Sequence, residues 1–413
     1  MKAVVFTLGC KVNECESDSL VSGLKARGYE VFDELVKADL YIVNTCAVTA
    51  EAEKKSRQTA SRIRRLNPNA KVIFTGCAAE KNYKAFSDKS AAFLVTGVFN
   101  KNAILSALER SGVMIAEKSD NYEELPAPTS LKARAFIKVQ DGCDSFCTYC
   151  IIPHLRGRSR SRNPESVVKE IAALNPAEAI ITGINLSDYR YGDADLTGLI
   201  ERLSGVNSRI RLGSLEVRVI DEEFLTALKN LKDFAPHFHL SLQSGSNSVL
   251  KKMNRKYTRE EFIEKVDLIR QYFPLAGITT DIIAGFPTET EEDFNDTLSL
   301  VERVKFSDIH PFIFSPREGT PAYKMQDLPS EVKKARLDRL LEVKKELKAD
   351  FAAKMKGKIA RFLPEEVSDG FTEGYTENYL RLYVKGENPV GKIVTVKVGE
   401  SFKDGAKAEI ING

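Results

Sequence analysis

Six of the seven cysteines fall into two groups of three, and together they carry most of the chemistry available to this chain. Cys143, Cys147 and Cys150 share one loop, Asp141-Gly142-Cys143-Asp144-Ser145-Phe146-Cys147-Thr148-Tyr149-Cys150, behind the apolar run Ala135–Val139. Three soft thiolates in a C-x3-C-x2-C loop select zinc, Cu(I) or an iron–sulfur cluster. Zinc would want a fourth ligand, for which His154 is at hand. Structural zinc usually pairs two C-x2-C knuckles, however, and the sequence holds no second one. On a four-iron cluster, three cysteines leave one iron free to bind a substrate or cofactor.

Cys10, Cys46 and Cys77 are far apart in sequence but share a context. Each ends a short apolar run: Val4-Val5-Phe6-Thr7-Leu8-Gly9-Cys10, Leu40-Tyr41-Ile42-Val43-Asn44-Thr45-Cys46 and Val72-Ile73-Phe74-Thr75-Gly76-Cys77. Such runs, separated by helical stretches, read as buried parallel strands. Sites in open α/β sheets gather beyond the carboxyl ends of the strands, so the three thiols should meet at one sheet edge. A single cysteine there would be an ordinary buried residue; three at one topological point make a site. Cys15 falls on the first turn of a helix and reads as an ordinary buried thiol.

The elements that must position these groups form an α/β chain of several domains. At 413 residues, the length suits two to four of them. Residues 1–125 alternate strands and helices, and Glu123-Glu124-Leu125-Pro126-Ala127-Pro128 reads as a linker. From 131 to 350 the alternation resumes, with strands expected at Ala135–Val139, Ala179–Thr182, Arg209–Leu212, His237–Leu242, Gly277–Ala284 and Ile309–Phe314. A charged amphipathic helix runs through 331–355. Residues 354–413 change to short strands with glycine turns and balanced charge. The 61 Lys+Arg and 58 Asp+Glu leave a net charge of only +3, so any nucleic-acid contact must come from local patches. One such patch is Lys54–Lys71, with seven basic residues and no acidic one, among them Arg57, Arg62 and Arg65 on a helix. No run reaches the apolar length of a membrane helix, and the first residues read as a strand rather than a signal peptide. Reduced thiols and a cytoplasmic location are expected.

The C-x3-C-x2-C loop resembles that of the radical S-adenosylmethionine (SAM) enzymes. The wider string Gln140-Asp141-Gly142-Cys143 through Cys150-Ile151-Ile152-Pro153-His154-Leu155-Arg156-Gly157-Arg158-Ser159-Arg160-Ser161-Arg162 resembles their methylthiotransferase branch. Thr7-Leu8-Gly9-Cys10-Lys11-Val12-Asn13 with Glu16-Ser17, Glu53-Lys54-Lys55-Ser56-Arg57-Gln58 and Thr182-Gly183-Ile184-Asn185-Leu186 are similar to the branch acting on N6-threonylcarbamoyladenosine in tRNA. The isopentenyladenosine branch more often has Gln-Met-Asn in place of Lys11-Val12-Asn13, and the ribosomal-protein S12 branch Pro-Lys-Asn. The resemblance runs over essentially the whole chain.

It implies an N-terminal methylthiotransferase domain, a partial (β/α)6 radical SAM barrel and a C-terminal small β-barrel of the TRAM kind. It implies two 4Fe–4S clusters. Cys143, Cys147 and Cys150 would hold the one that binds SAM, and Cys10, Cys46 and Cys77 an auxiliary one that holds sulfur. SAM would meet Tyr149 and the strand-end groups Gly183, Asn185, Ser214, Glu216, Gln243 and Asp281, with Gly285 admitting the adenine. One of Arg156, Arg158, Arg160 and Arg162 would pair with a SAM carboxylate or a phosphate, and Arg156, Tyr375, Tyr379 and Arg381 would meet RNA, the last three on the small barrel. Arg218 and Arg317 are the strand-end cations on offer for the threonylcarbamoyl carboxylate. The reaction implied is conversion of N6-threonylcarbamoyladenosine at position 37, in the tRNA anticodon stem-loop, to its 2-methylthio derivative, with electrons from a flavodoxin or ferredoxin. Methylthiolation of ribosomal protein S12 or of isopentenyladenosine tRNA, and a non-catalytic iron–sulfur RNA-binding redox sensor, are the competing readings.

Overall fold

The computed structural model describes residues 1–87, 92–128 and 133–412. The expected start of the second unit at 131 and the last residue, Gly413, lie outside the described residues.

The N-terminal sheet has six parallel strands in the order Glu30–Phe32, Lys2–Thr7, Leu40–Thr45, Lys71–Gly76, Leu94–Thr96, Gly112–Met114. Leu40–Thr45 is buried at every residue, as a central strand covered on both faces must be. The order reverses between the first and third strands in sequence, where such sheets open a crevice. Pairing of Thr7 with Asn44 and of Thr45 with Gly76 keeps the ends level, so the three cysteines leave the sheet side by side.

The barrel strands are Arg134–Lys138, Glu178–Thr182, Arg209–Leu212, His237–Leu240, Gly277–Ala284 and Asp308–Ile313, close to expectation. The third continues past Gly213 as Ser214–Leu215. Its first half pairs with the second strand and its second half with the fourth, which carries the wall round a corner. Among the described residues neither the first nor the sixth strand has a partner on its outer edge, which leaves the barrel open on one side. Helix Lys11–Lys25 of the N-terminal sheet packs against the first strand at this gap, and the long helix Ser330–Met355 packs against the sixth.

The C-terminal strands close into a five-stranded barrel around Phe362, Leu382, Val396, Val398 and Ala406, with Phe351 and Met355 of the long helix packed on the same core. This small barrel covers the amino-terminal mouth of the large one. Arg211 donates to the carbonyls of Thr376 and Glu377, Arg361 pairs with Asp233 at 2.6 Å, and Asn378 donates to the Leu275 carbonyl. The segment expected to be a linker is docked: Asn102 donates to Glu123 and to the Glu124 carbonyl. Among the described residues no helix is long and apolar enough to cross a membrane.

Candidate active site

Both cysteine triads open on one cavity of about 850 Å³ that runs through the barrel from its carboxyl end to the small barrel beneath. All six thiol-bearing residues line it, together with Asn13, Tyr149, Gly183, Asn185, Ser214, Glu216, Gln243 and Asp281. Cys15 is buried outside it, its thiol pushed up to about 12 chiefly by burial.

The N-terminal triad depends on close backbone approach. Gly9 has φ +107°, and a Cβ there would lie 2.7 Å from the Cys46 Cβ. Gly76 has φ +92°, and its Cβ would lie 2.5 Å from the Asn44 side chain and the Thr45 carbonyl. The Gly-Cys pairs at 9–10 and 76–77 therefore follow from how tightly the Cys46 strand end is flanked. Asn13 ties the loop down, donating to the carbonyls of Leu8 at 2.8 Å and Thr45 at 3.1 Å. In the barrel triad, the Ser145 amide lies 3.5 Å and the Asn185 amide nitrogen 3.7 Å from Cys143 Sγ.

Each triad has one sulfur beside a buried arginine. Arg156 Nε donates to Cys77 Sγ at 3.3 Å, and Arg255 Nη1 donates to Cys147 Sγ at 3.3 Å. Burial pushes the Cys46 thiol up to about 11, with repulsion from Cys77 and Cys10 adding to it. Burial likewise pushes Cys150 up to about 12, reinforced by Cys147 and Cys143. Thiolates so placed oppose one another, and a cationic centre that each could ligate reverses that balance. Three thiols with N–H donors aimed at sulfur are a donor set that fits an iron–sulfur cluster. Among the described residues no three Cys, His, Asp or Glu side chains are grouped to hold a single metal ion. His154 is exposed, turned toward Phe146 and absent from the cavity wall, so the zinc reading loses its fourth ligand.

Several expectations need correction. Arg156 is not a free cation: it is 0% exposed and already held at 2.9 Å by Glu16 and at 3.0 Å by Asp141. Lys101 and Lys138 complete this buried network around Glu16. Burial works against ionisation of Glu16, but Arg156, Lys101 and Lys138 outweigh it and hold the carboxyl well below the usual carboxylate range. Gly285 is roofed by the Lys333 stem and donates its amide to Glu289, so it offers no approach to the cavity. Tyr375 and Tyr379 form no outward platform on the small barrel. They stack on each other at 4.5 Å, and Tyr379 stacks on His237 at 4.4 Å, over the guanidinium groups of Arg134 and Arg211. With Arg381, bound to Glu373, they floor the cavity. Arg317 is buried against Glu53, and Arg218 is paired with Asp188 and Glu216; neither lines the cavity. Arg57, Arg62 and Arg65 are exposed on helix Ala50–Leu66, with Arg57 paired to Glu53 at 3.0 Å.

Sequence reasoning missed Arg255 altogether. It lies 108 residues beyond Cys147 in the chain, and no local pattern links the two. It also missed His237, His239 and Thr279, which join the expected Asp281 in an interior polar set, although three of the chain's four histidines lie in the cavity wall.

The Radical SAM superfamily matches residues 137–301, and Uncharacterized protein family UPF0004 matches residues 2–97. Over its full length the chain is 36% identical to 97% of threonylcarbamoyladenosine tRNA methylthiotransferase MtaB of Bacillus subtilis (strain 168). It is 39% identical over its full length to 99% of the protein of the same name from Thermotoga maritima. It is also 37% identical, over 96% of its length and 89% of the relative's, to tRNA-2-methylthio-N(6)-dimethylallyladenosine synthase of Thermoanaerobacter sp. (strain X514). Among solved structures, the radical S-adenosylmethionine methyltransferase TsrM from Kitasatospora setae, with cobalamin and a 4Fe-4S cluster bound, superposes with TM-score 0.55 at 15% identity. That match covers 90% of this chain and 80% of TsrM, and it shows a shared fold.

Proposed function

The chain belongs to the radical SAM methylthiotransferases that modify tRNA, and on that premise we propose that it converts N6-threonylcarbamoyladenosine at position 37 of tRNA to the 2-methylthio derivative. The observation that carries the reading is the meeting of both cysteine triads on one cavity. An adenine C2–H offers no usefully acidic proton and no leaving group, so side-chain acid–base chemistry cannot replace it. When bound, two 4Fe–4S clusters and SAM supply the electron, the radical and the carried sulfur.

The protein's own residues hold and orient. Cys143, Cys147 and Cys150 would hold the cluster that binds SAM, and Asn185, Ser214, Glu216, Gln243 and Tyr149, which line the same cavity, would receive SAM. Cys10, Cys46 and Cys77 would hold the second cluster. Arg255 and Arg156 each direct an N–H at one ligating sulfur. Helix Lys11–Lys25 and the small barrel exclude water from the side and the floor. In this assignment residues 1–125 carry the sulfur-bearing cluster, 131–350 bind SAM, and 354–413 close the cavity. Arg62 and Arg65 offer charge to the anticodon-stem phosphates. The enzyme works in the cytoplasm with a flavodoxin- or ferredoxin-type reductant.

The test is anaerobic. Protein reconstituted with iron and sulfide is incubated with SAM, dithionite and tRNA carrying threonylcarbamoyladenosine, and the nucleosides are weighed by mass spectrometry. A gain of one methylthio group, lost in Cys10→Ala and in Cys143→Ala, is the expected result. SAM cleavage without that product would move the acceptor elsewhere, with ribosomal protein S12 tried next. No cleavage with both clusters loaded would favour a redox sensor.

A further inference from the structure

Five Lys and Arg side chains line the cavity, and four are already neutralised. Arg156 is held by Glu16 and Asp141, Arg255 by Glu216 at 3.1 Å, Lys348 by Asp404 at 3.0 Å, and Arg381 by Glu373. Lys11 differs. Among the described residues no carboxylate lies within ion-pair distance of its ammonium, although Glu14, one turn on, shares the same wall.

Its setting adds to the imbalance. Lys11 is the first residue of helix Lys11–Lys25, where the helix dipole disfavours a cation. It is exposed, directly follows Cys10, and its charge acts on Asp281 and His237, which line the same cavity. An exposed lysine on the cavity wall without an ion-pair partner, at the point where sulfur would be delivered, is suited to an anion brought by the substrate.

We propose that Lys11 is the subsite for the carboxylate on the N6 substituent of the target adenosine. The inference rests on the substrate reading above and deepens it. A threonylcarbamoyl arm ends in a carboxylate, whereas a dimethylallyl arm is apolar and would leave the lysine unpaired. Since the chain is 39% identical to one kind of relative and 37% to the other, overall identity does not discriminate between these arms; one cation does. A site built around a charge rejects an analogue that lacks the partner, because its own polar group is then stranded.

The experiment uses the reconstituted full chain and three anticodon stem-loop RNAs. They carry the free threonylcarbamoyl carboxylate, its methyl ester, or a dimethylallyl group. Both kcat/KM for methylthio transfer and Kd by fluorescence anisotropy without SAM are measured. The wild type should prefer the acid over the ester by roughly tenfold or more. Lys11→Met should shrink that ratio to about twofold, and Lys11→Arg should restore most of it. Iron content is compared across variants to separate the effect from damage at Cys10. The acid–ester comparison on wild type needs no variant. Equal handling of acid and ester by a wild type that transfers the group overturns the Lys11 inference alone, as does an undiminished ratio in Lys11→Met. Absence of transfer to every RNA overturns the substrate reading and this inference with it.

Discussion

Arg156 Nε stands 3.3 Å from Cys77 Sγ while its Nη1 reaches Glu16 and Asp141, so one guanidinium binds the N-terminal triad to the loop that carries the other triad. The planar fork of a guanidinium spreads its donors over three nitrogens, so it reaches a sulfur and two carboxylates that lie farther apart than the point charge of an ammonium would span. Neutralising it leaves two buried carboxylates with only Lys101, Lys138 and Arg160 to balance them.

Arg156→Met should therefore cost roughly 3–5 kcal/mol, the range for breaking a buried charge network by removing one partner. Arg156→Lys should fall between that variant and wild type. Calorimetric unfolding of the reconstituted protein measures this. A structural loss alone would leave the clusters' potentials unchanged. Loss of an N–H donated to a ligating sulfur should instead make the auxiliary cluster harder to reduce, seen in a redox titration followed by electron paramagnetic resonance.

Alanine at Cys10, Cys46 or Cys77 should each remove about half of the bound iron, and alanine at Cys143, Cys147 or Cys150 the other half, since the thiolate supplies the iron bond. Cys15→Ala should remove none, because Cys15 lies outside the cavity. Iron and sulfide analysis of the reconstituted variants decides the matter. An iron loss in Cys15→Ala equal to that in Cys10→Ala would break the assignment.

Gly9→Ala and Gly76→Ala should damage the N-terminal triad without touching the barrel triad. Each adds a Cβ where backbone or Cys46 already stands, at a φ that L residues rarely adopt. Gly28→Ala is the control: its φ is +81°, but nothing lies within 4 Å, so only the strain of about 1 kcal/mol applies. Spectroscopy on variants reconstituted side by side should show the barrel cluster retained and the auxiliary cluster depleted in the first two. All signals should remain in the third.

Much of this architecture was legible because the signals are local. Apolar runs ending in cysteine placed Cys10, Cys46 and Cys77 at strand ends, and alternation of strands with helices gave the barrel nearly residue by residue. The errors share a cause, which is contact between segments distant in the chain. Nothing around Arg156 announces that Glu16, 140 residues earlier, will bury it. Tyr379 reads as an exposed RNA-binding aromatic until the small barrel is seen against His237. Gly285 looks like a ligand-approach glycine until Lys333 covers it. Long-range packing of polar side chains has no period in sequence, so composition and spacing cannot reveal it.

The floor of the cavity should make stability depend on pH through His237. The ring is buried, accepts or donates at Thr279 Oγ1 at 3.0 Å and stacks on Tyr379, and the cations and rings around it are Arg211, His239, Lys11 and Arg134. Burial first, then repulsion from those groups, holds its pKa well below the ordinary value. An unfolded histidine takes its proton near pH 6.5, so in acid the unfolded state binds a proton that the folded state refuses. The contribution is therefore fully present above about pH 6.5 and is lost as pH falls below it. His237→Phe keeps a ring against Tyr379 but cannot titrate. Its melting temperature should fall less between pH 7 and pH 5 than that of wild type, even if it starts lower for want of the Thr279 hydrogen bond. Parallel slopes for the two proteins over that interval would mean that the folded state accommodates the proton on His237 after all.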